Sequence, residues 1–165
     1  MAVVDVKSQQ ITNRDAVPRT INPVTIAGGR VRSASATVEV TNGDSIASIF
    51  RMVTVPSNAR VRTIKLFCDA ITSAAADIGL YQTTANGGAV LDVDAYATAQ
   101  TIATANLVGI ECAFEVRNID KINNRVWQDG GLTADPARDY DICFTLTAAA
   151  TATGTVSIDV EYVVD

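Results

Sequence analysis

From Thr155 to Val164 the chain changes character at every step. Val156, Ile158, Val160, Tyr162 and Val164 are apolar, and Thr155, Ser157, Asp159 and Glu161 between them are polar. Successive side chains of a strand point to opposite faces, so this alternation buries one face and wets the other. Wound as a helix, the same residues would scatter their apolar groups around the circumference. The pattern recurs. Ala36, Val38 and Val40 alternate with Thr37, Glu39 and Thr41. Ile110, Cys112, Phe114 and Val116 alternate with Glu111, Ala113, Glu115 and Arg117, and Tyr140, Ile142, Phe144, Leu146 and Ala148 form another series. Apolar runs at 46–55 and 60–69 and a shorter one at 77–82 complete the set. About seven or eight one-sided strands imply an all-β fold, an antiparallel β-sandwich. The long connections 84–109 and 118–139 fit Greek-key crossovers better than a meander, which makes a jelly roll the specific expectation.

Residues 1–33 lack this pattern. Val17-Pro18, Asn22-Pro23 and Gly28-Gly29 punctuate them, and a residue before proline is pushed to extended geometry. The expected organisation is an extended N-terminal arm over 1–33, with at most one short strand, and a sandwich domain over 34–165. Within the sandwich, the short Pro56-Ser57-Asn58 connection predicts a hairpin between the runs 46–55 and 60–69. The slip in alternation between Val61 and Ile64 predicts a bulge. Residues 91–105 contain no Gly or Pro, and Leu91, Ala95, Ile102 and Ala105 fall on one helical stripe. With Asp92 or Asp94 as N-cap, they predict a short helical insertion. The phenylalanines Phe50, Phe67, Phe114 and Phe144 are expected in the core.

The chemistry that such a chain supports is narrow. It has no histidine, so neither a Ser-His-Asp nor a Cys-His set exists within it. Cys68, Cys112 and Cys143 are an odd number without paired spacing and sit in apolar runs, which reads as buried thiols. Ala27-Gly28-Gly29-Arg30 lacks the Lys-Ser/Thr ending of a phosphate loop. The pair Asp92 and Asp94, and the group Asp135, Asp139 and Asp141, lack a calcium-loop pattern and read as solvated or capping carboxylates. Aromatics are only 5%, too few for the stacking platforms of a sugar-cleaving site. No enzyme, metal or cofactor is expected.

Charge bears on partners. The net charge is −5, which disfavours nucleic acid. No apolar run is long enough to span a bilayer, and the first residues lack the pattern of a signal peptide, so synthesis in a cytoplasm is expected. The charge is uneven, however. Residues 1–33 carry five basic groups (Lys7, Arg14, Arg19, Arg30, Arg32) against two acidic ones, whereas the remainder carries eight basic against sixteen acidic. A basic arm fits an acidic neighbouring subunit. Lysine occurs only at positions 7, 65 and 121, a low surface charge that suits a chain covered by neighbours. The candidate partner-contact residues are therefore Arg14, Arg19, Arg30 and Arg32, with Trp127, which sits in a polar loop and either anchors an interface or plugs one end of the sandwich.

One resemblance adds to this reading. Phe50-Arg51-Met52-Val53-Thr54-Val55-Pro56-Ser57-Asn58-Ala59-Arg60-Val61 is a strand closed by a Val-Pro-x-Asn-Ala turn, and it runs into Ile64-Lys65-Leu66-Phe67-Cys68-Asp69. Ala76-Asp77-Ile78-Gly79-Leu80-Tyr81, Gly87-Gly88-Ala89-Val90 and Asp94-Ala95-Tyr96-Ala97 follow in order. Over about residues 45–165 this resembles the jelly-roll decoration (cement) proteins of tailed bacteriophages. The resemblance implies a structural virion protein on the capsid exterior, made in the cytoplasm of a bacterial host. It implies the major capsid protein as partner and a homo-oligomer, with a trimer favoured by three-fold lattice junctions. It supplies no site residues. The rival expectations are a tail, neck or fibre-associated virion module and a carbohydrate- or receptor-binding sandwich.

Overall fold

The computed structural model describes residues 6–23 and 27–164. Eight strands build two four-stranded sheets: β1 (Val31–Val40), β2 (Ile49–Pro56), β3 (Arg60–Cys68), β4 (Ala75–Gln82), β5 (Val90–Thr101), β6 (Asn106–Glu111), β7 (Asp139–Ala148) and β8 (Gly154–Val163). One sheet runs β1-β8-β3-β6 and the other β2-β7-β4-β5, with every ladder antiparallel. Of chain neighbours, only β4 and β5 pair with each other, and the other connections cross between sheets. This interleaving is the two-Greek-key path of a jelly roll. The core between the sheets is fully closed. Val55, Ile64, Leu66, Ile78, Leu80, Ile142, Phe144, Ile158 and Val160 are all 0–1% exposed.

Several expectations are corrected by this path. β2 and β3 do not form a hairpin, because β2 pairs with β7 and β3 with β8. The Pro56–Ala59 connection is an arch between sheets. Its turn closes by Ala59 N–H to Pro56 O (2.9 Å), while Ser57 N–H donates to Arg138 O (2.9 Å). A short connection suits a hairpin or an arch equally, and the choice belongs to partners that are distant in sequence.

The helix predicted within 91–105 is instead strand β5. Its ladder to β4 jumps from Ile78↔Ala97 to Leu80↔Asp92, so five residues of β5 face two steps of β4. The surplus residues form a wide bulge that buries Ala95, Tyr96 and Ala97 in succession. A bulge of this size destroys period two, and what remains imitates helical spacing.

The strand expected over 110–116 ends at Glu111 and starts earlier, at Asn106. Cys112 N–H still donates to Ile64 O (2.7 Å), and the Glu111 carboxylate accepts from Ile64 N–H (3.1 Å) and Ala113 N–H (2.8 Å), a side-chain clamp at the end of the ladder. The chain then leaves the sheet. Phe67 faces outward rather than into the core and is half-buried; its ring leaves no room for a Cβ on Gly109 (2.9 Å), a residue with φ +84°. Phe50 and Phe114 pack against the core while partly exposed, and Phe144 is fully buried. The bulge predicted near Val61 is present as a register shift between Val61 and Thr63 against β8.

The arm is not simply extended. Gln9–Asp15 form a helix, α1, whose N-cap Ser8 accepts from Ile11 N–H (3.4 Å). A serine cap and a proline-free stretch up to Pro18 are sufficient for two turns. None of the α1 residues is buried. The segment after it folds back on α1 through Thr20 N–H to Asn13 O (3.1 Å) and Asn13 Nδ2 to Asn22 Oδ1 (2.8 Å). β1 begins at Val31, three residues inside the stretch that the sequence assigns to the arm.

Candidate functional site

The five residues singled out from sequence fall in two groups. Arg14 lies exposed in the last turn of α1, its Nε 2.8 Å from Asp15 Oδ1, and Lys7 Nζ sits 2.9 Å from the other carboxylate oxygen. Hydrogen bonds from Arg14 and then Lys7 hold the Asp15 carboxyl down at about 2. Arg19 lies beyond α1 and lines an open groove of about 530 Å³ with Ile21, Asn22, Ala27 and Gly28. Arg30 and Arg32 are exposed where the arm enters β1. Among the described residues, Arg19, Arg30 and Arg32 meet no ion-pair partner. The side chains of Val17 and Ile21, on either side of Arg19, are 98% and 89% exposed.

Trp127 belongs to a one-turn helix, α2 (Val126–Asp129). Val126 N–H donates to Ala59 O (2.8 Å) and Trp127 N–H to Ser57 O (3.2 Å), so α2 hangs from the β2–β3 arch. The indole is half-buried, with its Nε1 shielded from solvent. Val31 lies opposite Val163, and Val163 opposite Arg60 at the start of β3. The root of the arm and Trp127 therefore share one end of the sandwich, although they are about a hundred residues apart in sequence. Nothing in the local sequence signals that proximity.

The same end contains a polar centre that sequence reasoning missed. Arg117 is 5% exposed. Its Nη1 reaches Asp129 Oδ2 (2.6 Å), its Nη2 donates to Val61 O (3.0 Å) and its Nε to Ala113 O (3.2 Å). The guanidinium also stacks 4.5 Å from the Phe114 ring centroid and 5.2 Å from that of Tyr96. Tyr96 Oη donates to Asp129 Oδ2 (3.3 Å). The β3 bulge releases the Val61 carbonyl, and the β5 bulge delivers Tyr96. Burial raises the Asp129 carboxyl above its usual range, opposed by Arg117, Asn124 and Tyr96. Its Oδ2 accepts from a guanidinium at 2.6 Å, which is the geometry of an ionised pair. The centre ties the 112–129 loop to β3 and β5.

Other candidate groups are equally tied up. Arg51 bridges Asp141 (2.7 Å), Gln82 O (2.8 Å) and Gly88 O (2.8 Å), which pins the β4–β5 turn to β2 and β7. Asp135 accepts from Ser57 Oγ (2.6 Å) and Ala137 N–H (2.8 Å), which lower its carboxyl and make it a poor base. Asp139 is exposed and Asp141 is engaged by Arg51, so the three aspartates around Pro136 do not converge. Among the described residues no group of three or more acidic or cysteine side chains is placed to hold a metal.

Cys112 and Cys143 are 0% exposed, and burial pushes both thiols up to about 12, while Cys68 is also raised. The thiolate is the reactive form. The native protein should therefore stay unmodified by a chromogenic disulfide reagent at pH 8, and release about three equivalents of chromophore once unfolded in guanidinium. Rapid reaction of the folded protein would refute the assignment of these thiols to the core.

No protein-family model matches the chain, and no curated protein matches it. Two solved structures share its fold. A chain of the cyanophage Pam1 capsid asymmetric unit superposes with a TM-score of 0.56 at 16% identity, covering 83% of this chain and 86% of that one. A chain of the capsid of Ralstonia phage GP4 gives a TM-score of 0.57 at 11% identity, again over 83% and 86%. At this identity the likeness is one of fold alone, and it extends over most of both chains.

Proposed function

We propose that this chain is a structural virion protein, without enzymatic activity, that binds the outside of a phage capsid and bridges neighbouring major capsid protein subunits. The observation that carries the reading is the fold it shares with chains in two phage capsids. The arm supports it. α1 buries no residue, Val17 and Ile21 are bare, and Arg19, Arg30 and Arg32 await acidic partners. An arm that settles on a neighbouring subunit trades conformational freedom for contact area. Several such contacts on one shell make weak patches effectively strong. Arg14, Arg19, Arg30, Arg32 and the exposed part of Trp127 are the proposed capsid contacts, made after synthesis in the bacterial cytoplasm.

The test is removal of residues 1–30. The sandwich should keep its cooperative unfolding, because β1 starts at Val31 and its core partners remain. Co-sedimentation with capsids lacking the protein should fall at least about tenfold, on the scale of losing one arm of a multivalent contact. Undiminished co-sedimentation of the truncated chain would remove the arm from the contact. Failure of the full chain to sediment with capsids would remove the capsid.

A further inference from the structure

The two sheets have four edge strands, β1, β6, β2 and β5, and three of them carry features that oppose a further strand. β6 is six residues long, and its ladder shifts register between Leu66 and Cys68 of β3. β2 shifts between Arg51 and Val53 and ends in Pro56. β5 shifts repeatedly against β4. Shortness, bulges and proline are the usual guards of an open edge. β1 has none of them. It is ten residues long, pairs with β8 without a shift from Val31↔Val163 to Val40↔Gly154, and is uncharged between Arg32 and Glu39.

The direction of its backbone groups follows from the ladders beside it. Cys112 N–H donates to Ile64 O (2.7 Å) and Ile64 N–H to the Glu111 carboxylate (3.1 Å), so both backbone groups of Ile64 turn away from β8. Opposite residues of antiparallel strands either bond to each other or both turn away, and the two cases alternate along the pair. Val160, opposite Ile64, therefore turns to β1 and bonds with Ala34. Ala36 and Val38 do the same further along. Ser33, Ser35, Thr37 and Glu39 then aim their N–H and C=O groups at the open edge, and among the described residues these four amides meet no acceptor. Side chains alternate in step. Arg32 shares the core-facing side with Ala34, Ala36 and Val38, which pack against the core while only partly buried. The core is incomplete along this edge.

We propose that an extended segment of the protein on which the arm rests adds to β1 as a fifth strand of this sheet; the inference takes that partner from the capsid reading above and rests on it. Unpaired amides and carbonyls in line call for another extended backbone, which supplies both at the same spacing. The core-facing side defines the sequence that fits: apolar at alternate positions, to cover Ala34, Ala36 and Val38, with a carboxylate beside Arg32, which meets no ion-pair partner among the described residues. β1 of a second copy does not offer that carboxylate. Two copies related by a two-fold axis would pair antiparallel through the free amides, odd-numbered residues meeting odd and even meeting even. Glu39, the one acid of β1, would then lie on the outer side, away from Arg32. The edge also begins where the arm ends, so a single partner reaches both.

Hydrogen exchange on the full chain, free and bound to capsids lacking the protein, reads this edge directly. In the free chain the amides of Ser33, Ser35, Thr37 and Glu39 should exchange fast and those of Ala34, Ala36 and Val38 slowly. On the capsid the first four should slow by at least about tenfold, because each then has an acceptor. Ser35→Pro removes one outward N–H at a position where an edge strand tolerates proline. It should leave the circular dichroism spectrum unchanged and weaken co-sedimentation about tenfold. If Ser35→Pro fails to fold, exchange on the wild type carries the test. Capsid binding without slowed exchange at the four amides, or undiminished co-sedimentation of folded Ser35→Pro, would overturn the strand addition and leave capsid attachment standing. Failure of the wild type to co-sediment would remove both. Slow exchange of the four amides in the isolated chain would mean that the edge is already covered, by the arm or by a second copy, and would equally overturn the proposal.

Discussion

Replacing Arg117 with methionine should lower the unfolding free energy by about 3–5 kcal/mol, the cost of leaving one member of a buried ion pair alone. The guanidinium donates to three groups, Asp129, Val61 O and Ala113 O, and its Arg117–Asp129 side chains are 3% and 1% exposed. Methionine fills much of the volume but satisfies none of these acceptors. The loss should also depend on pH, with a definite sign. Without Arg117 the buried Asp129 carboxyl binds a proton in the folded state that it releases on unfolding at neutral pH. A carboxyl whose folded pKa lies above its unfolded value makes stability fall as pH rises through that interval. The deficit relative to wild type should therefore shrink between pH 8 and pH 5, measured by urea titration at each pH. The double variant Arg117→Met/Asp129→Leu should recover most of the loss, because no lone charge remains. A single variant within about 1 kcal/mol of wild type, the scale of an exposed pair, would show that this centre does not lock the loop.

Gly79→Ala should be nearly as damaging for a different reason. A methyl at Gly79 would collide with the backbone carbonyl oxygens of Asp92 and Val93 on β5. Backbone cannot swing aside as a flexible side chain does, so the bulge of β5 must move as a unit. Overpacking of this kind costs roughly 1–3 kcal/mol, occasionally more. The displaced bulge also carries Tyr96 away from Asp129, so the value should lie at the upper end, and Gly79→Val should fail to give a cooperative unfolding transition. The phenol reports on this independently. Burial first, and then the Asp129 charge, raise its pKa well above the usual tyrosine value. An alkaline titration of Gly79→Ala should show Tyr96 ionising earlier than in wild type. A wild-type urea midpoint for Gly79→Ala would mean that β5 does not approach β4 closely at this point.

Both variants probe features that local sequence does not display. Arg117 reads as one more polar residue of an alternating strand, because Ile110, Cys112, Phe114 and Val116 continue the period past Glu111. The strand stops where the Glu111 carboxylate captures two amides, one of them from a strand some fifty residues earlier. Gly79 lies inside the run 77–82, which reads as an ordinary short strand. Its necessity comes from a bulge on a neighbouring strand whose own sequence imitates a helix. Arg14, Arg19, Arg30 and Arg32 were legible as a basic arm from charge alone, but the helix that organises its first half depends on a serine cap and on local pairing.

Residue alternation, with three apolar runs between turn residues, determined that this chain forms strands, how many of them there are to within one, and that two sheets must cover each other. That follows because the period of side-chain direction is local: two apolar residues separated by one polar residue face the same way wherever the strand lies. The lack of histidine likewise excluded whole classes of catalysis without any coordinates. Which strand lies beside which was decided only in three dimensions. The β2–β3 connection became an arch, and the arm root came to rest at the same end of the sandwich as Trp127. Pairing energies are set by groups far apart along the chain, and backbone amides carry no address, so the partner of each strand emerges only when all eight compete for places in the same core.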